Sequence, residues 1–111
     1  MNAAVVGFGV QGKRILKALN RIPRINTTSL IDSNSEVFKS IKNFRGMHTY
    51  ESFDKFFQQS SAELVCIATH CPSHAEIAIR SIESGAKYVM VEKPMACSIS
   101  ECEKMVAIAR E

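Results

Sequence analysis

Short apolar runs alternate with segments of helical periodicity along the 111 residues of the chain. Apolar runs at residues 3–7, 27–32, 46–50, 62–69 and 87–92 predict five strands. Apolar positions at helical spacing predict helices at residues 11–22, 33–44, 51–59, 73–85 and 98–111. This alternation predicts an α/β fold, a doubly wound parallel sheet of about five strands with helices on both faces. At this length, residues 1–111 are expected to form one domain.

Three of the predicted helices begin with a capping box, in which a serine and a glutamate three residues later satisfy free backbone N–H groups. The pairs are Ser33 with Glu36, Ser73 with Glu76, and Ser98 with Glu101. The first helix has no such pair, and it carries Lys13 and Arg14 where the helix dipole disfavours cations. We therefore expect an external anion to bind at the start of the first helix.

The first strand and the first helix are joined by GFGVQG, in which Gly7, Gly9 and Gly12 form the pattern G-x-G-x-x-G. Gly7 permits a tight turn, Gly9 lets the backbone approach a pyrophosphate, and Gly12 allows close packing of helix on strand. Asp32 follows Gly12 by twenty residues, at the end of the second strand, where a carboxylate can accept from a ribose hydroxyl. The alternative is a glycine-rich turn with a helix-capping aspartate. The strand, the glycine pattern, the helix and the strand-ending Asp32 follow one another in the order that favours a dinucleotide-binding Rossmann fold.

Asp32 also bears on which dinucleotide binds. Its carboxylate would repel the 2′-phosphate of NADP, and Ser33, Asn34 and Ser35 after it offer no positive charge. NAD is therefore the expected cofactor and NADP is less favoured, with Ser33 beside Asp32 as a further cofactor-binding candidate. Lys39 or Arg45 could fold back towards this position and weaken the preference.

The segment IATHCPSHAEIAI, residues 67–79, follows the fourth predicted strand. The first and fourth strands of a doubly wound sheet flank its switch point, so this segment borders the cofactor crevice. We expect Ala68 and Thr69 to approach the nicotinamide-side ribose and phosphates, and Pro72 to stiffen the turn. His74 is expected either to point towards the crevice or to lie at the surface. The positive helix end favours its neutral form.

The fifth apolar run ends in VMVEKPMA, residues 89–96. Lys93 follows the strand at the carboxyl edge of the sheet, where ligands of such sheets bind. Pro94 restricts Lys93 to extended backbone conformations. An ammonium here could hydrogen-bond a substrate oxygen and stabilise negative charge on it, which makes Lys93 a candidate catalytic residue. A plain Lys-Pro turn is the alternative.

GFGVQG, the strand-ending Asp32 and the segment IATHCPSHAEIAIRSIESGAKYVMVEKPMA resemble the glucose–fructose oxidoreductase / inositol dehydrogenase (Gfo/Idh/MocA) family over nearly the whole chain. The resemblance implies an NAD(P)-dependent oxidoreductase acting on secondary alcohols of sugars, inositols or related compounds. It implies roles for these residues, in chain order: Gly7, Phe8, Gly9, Val10, Gln11 and Gly12 at the pyrophosphate, Asp32 at the ribose, Thr69, Pro72 and His74 at the nicotinamide half, and Glu92, Lys93 and Pro94 on the catalytic side.

Two details of the resemblance carry further expectations. The Lys-Pro peptide is often cis in this family, so a cis bond before Pro94 is predicted. The family's strand usually runs into Thr-Pro, whereas THCP moves the proline to position 72, which leaves His70 and Cys71 without assigned roles.

Family members carry a second α/β domain that supplies most substrate contacts, and this domain is absent from the 111 residues. We therefore expect the chain to be the N-terminal part of a longer enzyme, inactive by itself and prone to self-association through an uncovered last strand. The full-length enzyme would be a homo-oligomer. The alternative is a free-standing NAD(H)-binding regulatory or redox-sensing module. The coding sequence beyond Glu111 distinguishes the two.

Composition narrows the partners. The net charge of +3 comes from scattered basic residues, so nucleic acid is not expected. No apolar stretch reaches the roughly 20 residues that span a bilayer, and the N-terminus lacks the features of a signal peptide, so neither a membrane nor export is expected. Four cysteines without zinc-ligand spacing predict reduced thiols, no metal site and a cytoplasmic location.

Overall fold

The computed structural model describes residues 1–41 and 46–111, except for the side chain of Ser40. The strands of the described chain are β1 (Asn2–Val6), β2 (Asn26–Ile31), β3 (His48–Tyr50), β4 (Leu64–Ile67) and β5 (Tyr88–Val91). Its α-helices are α1 (Val10–Leu19), α2 (Phe53–Gln59), α3 (Cys71–Glu83) and α4 (Ile99–Arg110), and a 3-10 helix spans Ser35–Ser40. None of these helices is long and apolar enough to cross a membrane.

The five strands form one parallel sheet in the order β3-β2-β1-β4-β5. The chain starts in the centre, at β1, builds outwards through β2 and β3, and then crosses back to β4 and β5. The predicted doubly wound fold is therefore confirmed. Because the order reverses between β1 and β4, the carboxyl ends of these two strands border a crevice.

Alternate residues of β1 face two separate cores. Ala3 and Val5 pack with Leu16, Phe38 and their neighbours under α1 and the 3-10 helix. Ala4 and Val6 pack with residues of α2, α3 and α4 on the opposite face. The side chains of all four are at most 1% exposed, which explains why β1 is a continuous apolar run and why both faces carry helices.

Two of the three predicted capping boxes differ from the caps and helix starts in the structure. The helix predicted at 33–44 is a short 3-10 helix capped by Asn34, whose side chain accepts from the Glu36 N–H, so the Ser33 box is wrong. Residues 42–44 of that prediction lie outside the described residues. The Ser73 box is wrong as well, because α3 already begins at Cys71. At α4, the Ser98 cap is confirmed, since its hydroxyl accepts from the Glu101 N–H at 3.2 Å.

Strand β5 forms one edge of the sheet and is poorly covered. Tyr88 and Met90 leave 56% and 43% of their surface exposed, and Ile99 at the start of α4 leaves 78% exposed. The expectation of an uncovered last strand is thus met in the described chain. Self-association through it stays a prediction.

Candidate dinucleotide site

A crevice of about 670 Å³ opens at the carboxyl ends of β1, β2 and β4. It has the size of a site for a small ligand or cofactor. Eight of the predicted site residues line it: Gly7, Gly9, Val10, Gln11, Asp32, Ser33, Ala68 and Thr69. The topology brings them together from three separate stretches of chain, at the position predicted from the switch point.

The glycine turn is built as its spacing predicts. Gly7 has φ +89°, and a Cβ on it would lie 2.6 Å from the Ala68 carbonyl carbon and oxygen, so the turn packs directly on the end of β4. Gly12 is buried in α1, and a Cβ there would overlap the Gly7 carbonyl oxygen. Gly9 differs, because a Cβ on it would meet nothing within 4 Å. The space in front of Gly9 is therefore open to a ligand.

Asp32 holds the glycine turn from the side of β2. Its Oδ2 accepts from the Phe8 N–H at 2.7 Å, and its Oδ1 accepts from the Asn34 N–H at 2.8 Å. Charge-assisted hydrogen bonds of this kind are stronger than neutral ones. Since each carboxylate oxygen has a second lone pair, Asp32 can still accept from a ribose. Its hydrogen bond to Phe8 was not foreseen.

Phe8 contributes to the core of the protein. Its side chain is 1% exposed, and its ring stacks on Phe38 with centroids 6.2 Å apart. Its N–H is already donated to Asp32. Phe8 therefore anchors the turn through its ring and its backbone. Gly9 and the first two residues of α1, Val10 and Gln11, are exposed.

Two helices point uncapped N-termini towards this edge of the sheet. Helix α1 has Gly9 at its N-cap, no side-chain cap and no acidic residue in its first turn, as predicted. Helix α3 also lacks both features, with His70 at its N-cap, so α1 is less exceptional than the sequence indicated. The Ser73 hydroxyl bonds Thr69 Oγ1 at 2.7 Å and donates to the His70 carbonyl instead. Both helix starts favour an anion.

His74 occupies neither of its expected positions, since it is 1% exposed and does not line the crevice. Its Nε2 lies 2.9 Å from the Thr69 carbonyl oxygen, and its Nδ1 lies 2.8 Å from the Pro94 carbonyl oxygen. Both partners are acceptors, and a neutral imidazole donates from only one nitrogen. His74 ties the loop after β4 to the loop after β5.

The segment Glu92–Pro94 forms the start of that second loop. The Glu92 N–H donates to the Ile67 carbonyl at 2.9 Å, Lys93 and Pro94 are exposed, and the Lys93–Pro94 peptide is cis, as predicted. None of the three, nor Pro72, lines the crevice. The loop that begins with Glu92–Pro94 is connected to the crevice through His74, which contacts the carbonyl oxygens of both Pro94 and the crevice residue Thr69.

Sequence reasoning missed the far end of the crevice, which α2 and α3 form. The lining there includes Glu51, Ser52, Phe53, Asp54, Glu76 and Arg80. The Arg80 guanidinium lies 2.5 Å from Asp54 and 5.2 Å from the Phe53 ring centroid. The position of α2 was the available signal, because a segment that follows β3 starts at the same sheet edge as those after β1, β2 and β4.

The sequence of the whole chain matches one known family. A family model described as an oxidoreductase family with an NAD-binding Rossmann fold, Gfo/Idh/MocA, matches residues 1–111. The chain belongs to this family. The resemblance drawn from the motifs is confirmed, and with it the expectation of NAD as the cofactor of the domain.

Two relatives illustrate the breadth of the Gfo/Idh/MocA family. The uncharacterized oxidoreductase YhhX of Escherichia coli (strain K12) is 27% identical over 99% of this chain and 32% of its own length. Inositol 2-dehydrogenase 3 of Saccharopolyspora erythraea is 25% identical over 96% of this chain and 31% of its own length.

A solved structure has the same architecture. The WlbA dehydrogenase of Bordetella pertussis, in complex with NADH and UDP-GlcNAcA, superposes with a TM-score of 0.88 and 25% identity over 97% of this chain. That overlap covers 32% of the WlbA chain. The chain thus spans about a third of the length of the relatives it matches.

Proposed function

We propose that this chain is the NAD(H)-binding domain of an oxidoreductase that transfers hydride between nicotinamide and a secondary alcohol of a sugar, an inositol or a related compound. The observation that carries the proposal is the open crevice at the switch point, where the uncapped start of α1 and the carboxylate of Asp32 meet. The proposed substrate class is supported by a relative named as an inositol 2-dehydrogenase and by the WlbA dehydrogenase in complex with UDP-GlcNAcA.

The residues present fit a dinucleotide. The exposed backbone of Gly9, Val10 and Gln11 would bind the pyrophosphate, and Asp32 with Ser33 would bind the adenosine ribose. Ala68 and Thr69 would face the nicotinamide half, next to the loop that His74 holds. The bound nicotinamide supplies the hydride chemistry, and the chain supplies binding and orientation.

Charge in the crevice supports NAD over NADP. Its carboxylates are those of Asp32, Glu51, Asp54 and Glu76, whereas Arg80 carries the one full positive charge among the described lining residues and is paired with Asp54. Lys39 pairs with Glu36 at 2.8 Å, and Arg45 lies outside the described residues. A 2′-phosphate would meet net negative charge.

We expect the chain to bind NADH at least tenfold more tightly than NADPH, as measured by cofactor fluorescence. Asp32→Asn removes the charge but keeps one acceptor oxygen, so NADH affinity should fall about tenfold and the preference over NADPH should narrow. Glu103→Gln is the matched control, because Glu103 is an exposed carboxylate of α4 that does not line the crevice. No saturable binding at millimolar NADH would contradict the proposed function, and equal affinity for the two cofactors would contradict the role of Asp32.

Lys93 is proposed to contact the substrate oxygen from the exposed loop after β5. When an alcohol is oxidised, the oxygen loses its proton as the carbon loses hydride, and an ammonium there stabilises the developing charge. His74 fixes this loop through the Pro94 carbonyl, so it acts as a positioning residue for Lys93.

In the full-length protein, Lys93→Ala should lower kcat on a polyol or sugar substrate by about 100-fold or more and change the NADH affinity less than about threefold. Lys87→Ala, which removes an exposed lysine paired with Glu63, is the control and should leave both unchanged. An unchanged kcat in Lys93→Ala would contradict the catalytic role of Lys93 but not the proposed binding of NADH. A regulatory module, in contrast, would bind NADH and show no turnover that depends on Lys93.

A further inference from the structure

Two of the four cysteines lie in contact. The Sγ atoms of Cys71 and Cys97 are 3.2 Å apart, although the residues are 26 positions apart in the chain. Cys71 is the first residue of α3, and Cys97 directly precedes Ser98, the N-cap of α4. Cys97 is exposed and Cys71 is partly exposed, so a small reagent can reach the pair.

The pair joins the same two loops that His74 joins. The Cys71 thiol also points at the Pro94 carbonyl oxygen, at 3.8 Å, and His74 Nδ1 lies 2.8 Å from the same oxygen. A bond between the two sulfurs would therefore connect the start of α3 covalently to the loop that carries Lys93. Nothing in the proposed cofactor binding uses either thiol.

We propose that Cys71 and Cys97 are an oxidisable dithiol, a modification site at which a low-molecular-weight disulfide converts the pair into an intramolecular disulfide. The sulfurs must approach by about 1 Å to reach the S–S length of about 2.05 Å, which is within the reach of side-chain rotation. The reaction requires no bound cofactor, so it goes beyond the proposed function and is tested independently of it.

Cys97 is the attacking thiol. It is the more exposed of the two, so a small disulfide reaches it first. The hydrogen bond with Cys97 and, to a smaller extent, burial raise the pKa of Cys71 to about 11, which keeps Cys71 protonated in the reduced pair. Once Cys97 is bonded to another sulfur, it no longer forms this hydrogen bond, and the largest cause of the raised pKa of Cys71 is removed.

The exchange proceeds in two steps. The Cys97 thiolate attacks the small disulfide, forms a mixed disulfide and releases one small thiolate. The Cys71 thiolate then attacks the Cys97 sulfur and releases the second. Each cysteine sulfur loses one electron, the small disulfide gains both, and the two cysteine protons leave on the two small thiols.

The remaining cysteines differ in their surroundings. Cys66 is 0% exposed in the centre of the sheet, and burial raises the pKa of its thiol to about 11. Cys102 lies one turn into α4, where the described structure gives it no sulfur contact as short as that between Cys71 and Cys97. Cys102→Ser is therefore the matched control for loss of an accessible thiol.

The test is oxidation of the reduced chain with excess glutathione disulfide, followed by intact mass under denaturing conditions. The wild type and Cys102→Ser should each become lighter by two hydrogen atoms. Trypsin should leave Cys71 in peptide 56–80 and Cys97 in peptide 88–104, and these two peptides should be joined through those residues. The Tm should rise by about 10 °C and return on reduction.

Cys71→Ser and Cys97→Ser should lose the cross-link and the gain in Tm. Cys71→Ser should stop at a glutathione adduct on Cys97. Three outcomes would overturn the proposal: four free thiols after oxidation, a wild type that stops at the adduct, or a disulfide that joins Cys97 to Cys102.

Discussion

Replacing Gly12 with alanine should strongly destabilise this domain or unfold it. The added Cβ would overlap the Gly7 carbonyl oxygen and lie 2.9 Å from the Gly7 carbonyl carbon. Both are backbone atoms, so no side-chain rotation can relieve the overlap. The turn cannot retreat either, because Gly7 already packs against the backbone of Ala68 and Thr69. Helix α1 would have to move away from the sheet and open the core around Leu16 and Phe8.

The cost of such overpacking is roughly 3 kcal/mol or more, a large fraction of the 5–15 kcal/mol that stabilise a typical domain. The Gly12→Ala chain should therefore show a Tm lower by about 15 °C or no cooperative transition, as followed by circular dichroism. Gly9→Ala is the matched control, since the same methyl group there meets no atom within 4 Å. A Gly12→Ala protein that melts within a few degrees of the wild type would show that α1 can shift at little cost.

The sheet could be predicted from the sequence because its strands are buried on both faces. Such strands appear as short continuous apolar runs, and the segments between them carry helical spacing. The glycine pattern fixed the position of the crevice for a similar reason. The conformation of Gly7 and the close packing of Gly12 each exclude a side chain, so the requirement is visible in the residue itself.

The caps could not be predicted in the same way, since a serine hydroxyl has several possible partners. Ser73 has the spacing of a capping residue, but α3 begins two residues earlier and its hydroxyl bonds Thr69 and the His70 carbonyl. Asn34, which no pattern singled out, caps the 3-10 helix instead. The local sequence identifies residues that can cap a helix. Which of them forms the cap depends on the path of the chain, here between β4 and α3.

Residues that join distant segments were the hardest to assign. His74 contacts Pro94, twenty residues away, and Asp32 contacts Phe8, twenty-four residues away. Arg80 of α3 forms an ion pair with Asp54 of α2. Each of these contacts depends on how elements pack on the finished sheet. A position at the crevice could be foreseen for Asp32, although its partner Phe8 could not. For His74, neither the buried position nor the partner Pro94 could be foreseen.

Replacing Gly9 with alanine should abolish most cofactor binding without unfolding the domain. Gly9 is the N-cap of α1, it is exposed, and its φ of −77° is open to alanine, so the fold should tolerate the substitution. The loss of stability should stay within about 1 kcal/mol. The methyl group would instead project into the open space before the uncapped N–H groups of α1, where the pyrophosphate is proposed to bind.

We expect the Kd for NADH to rise at least tenfold in Gly9→Ala, measured by cofactor fluorescence at a temperature where both proteins are folded. Ser100→Thr, which adds one methyl group to an exposed position of α4, should bind NADH like the wild type. The comparison with Gly12→Ala separates the two functions of the glycine pattern, because one glycine keeps space for the fold and the other keeps space for the ligand. Wild-type affinity in a folded Gly9→Ala protein would mean that phosphate groups do not approach α1 at this point. The proposed function would then lose its main support.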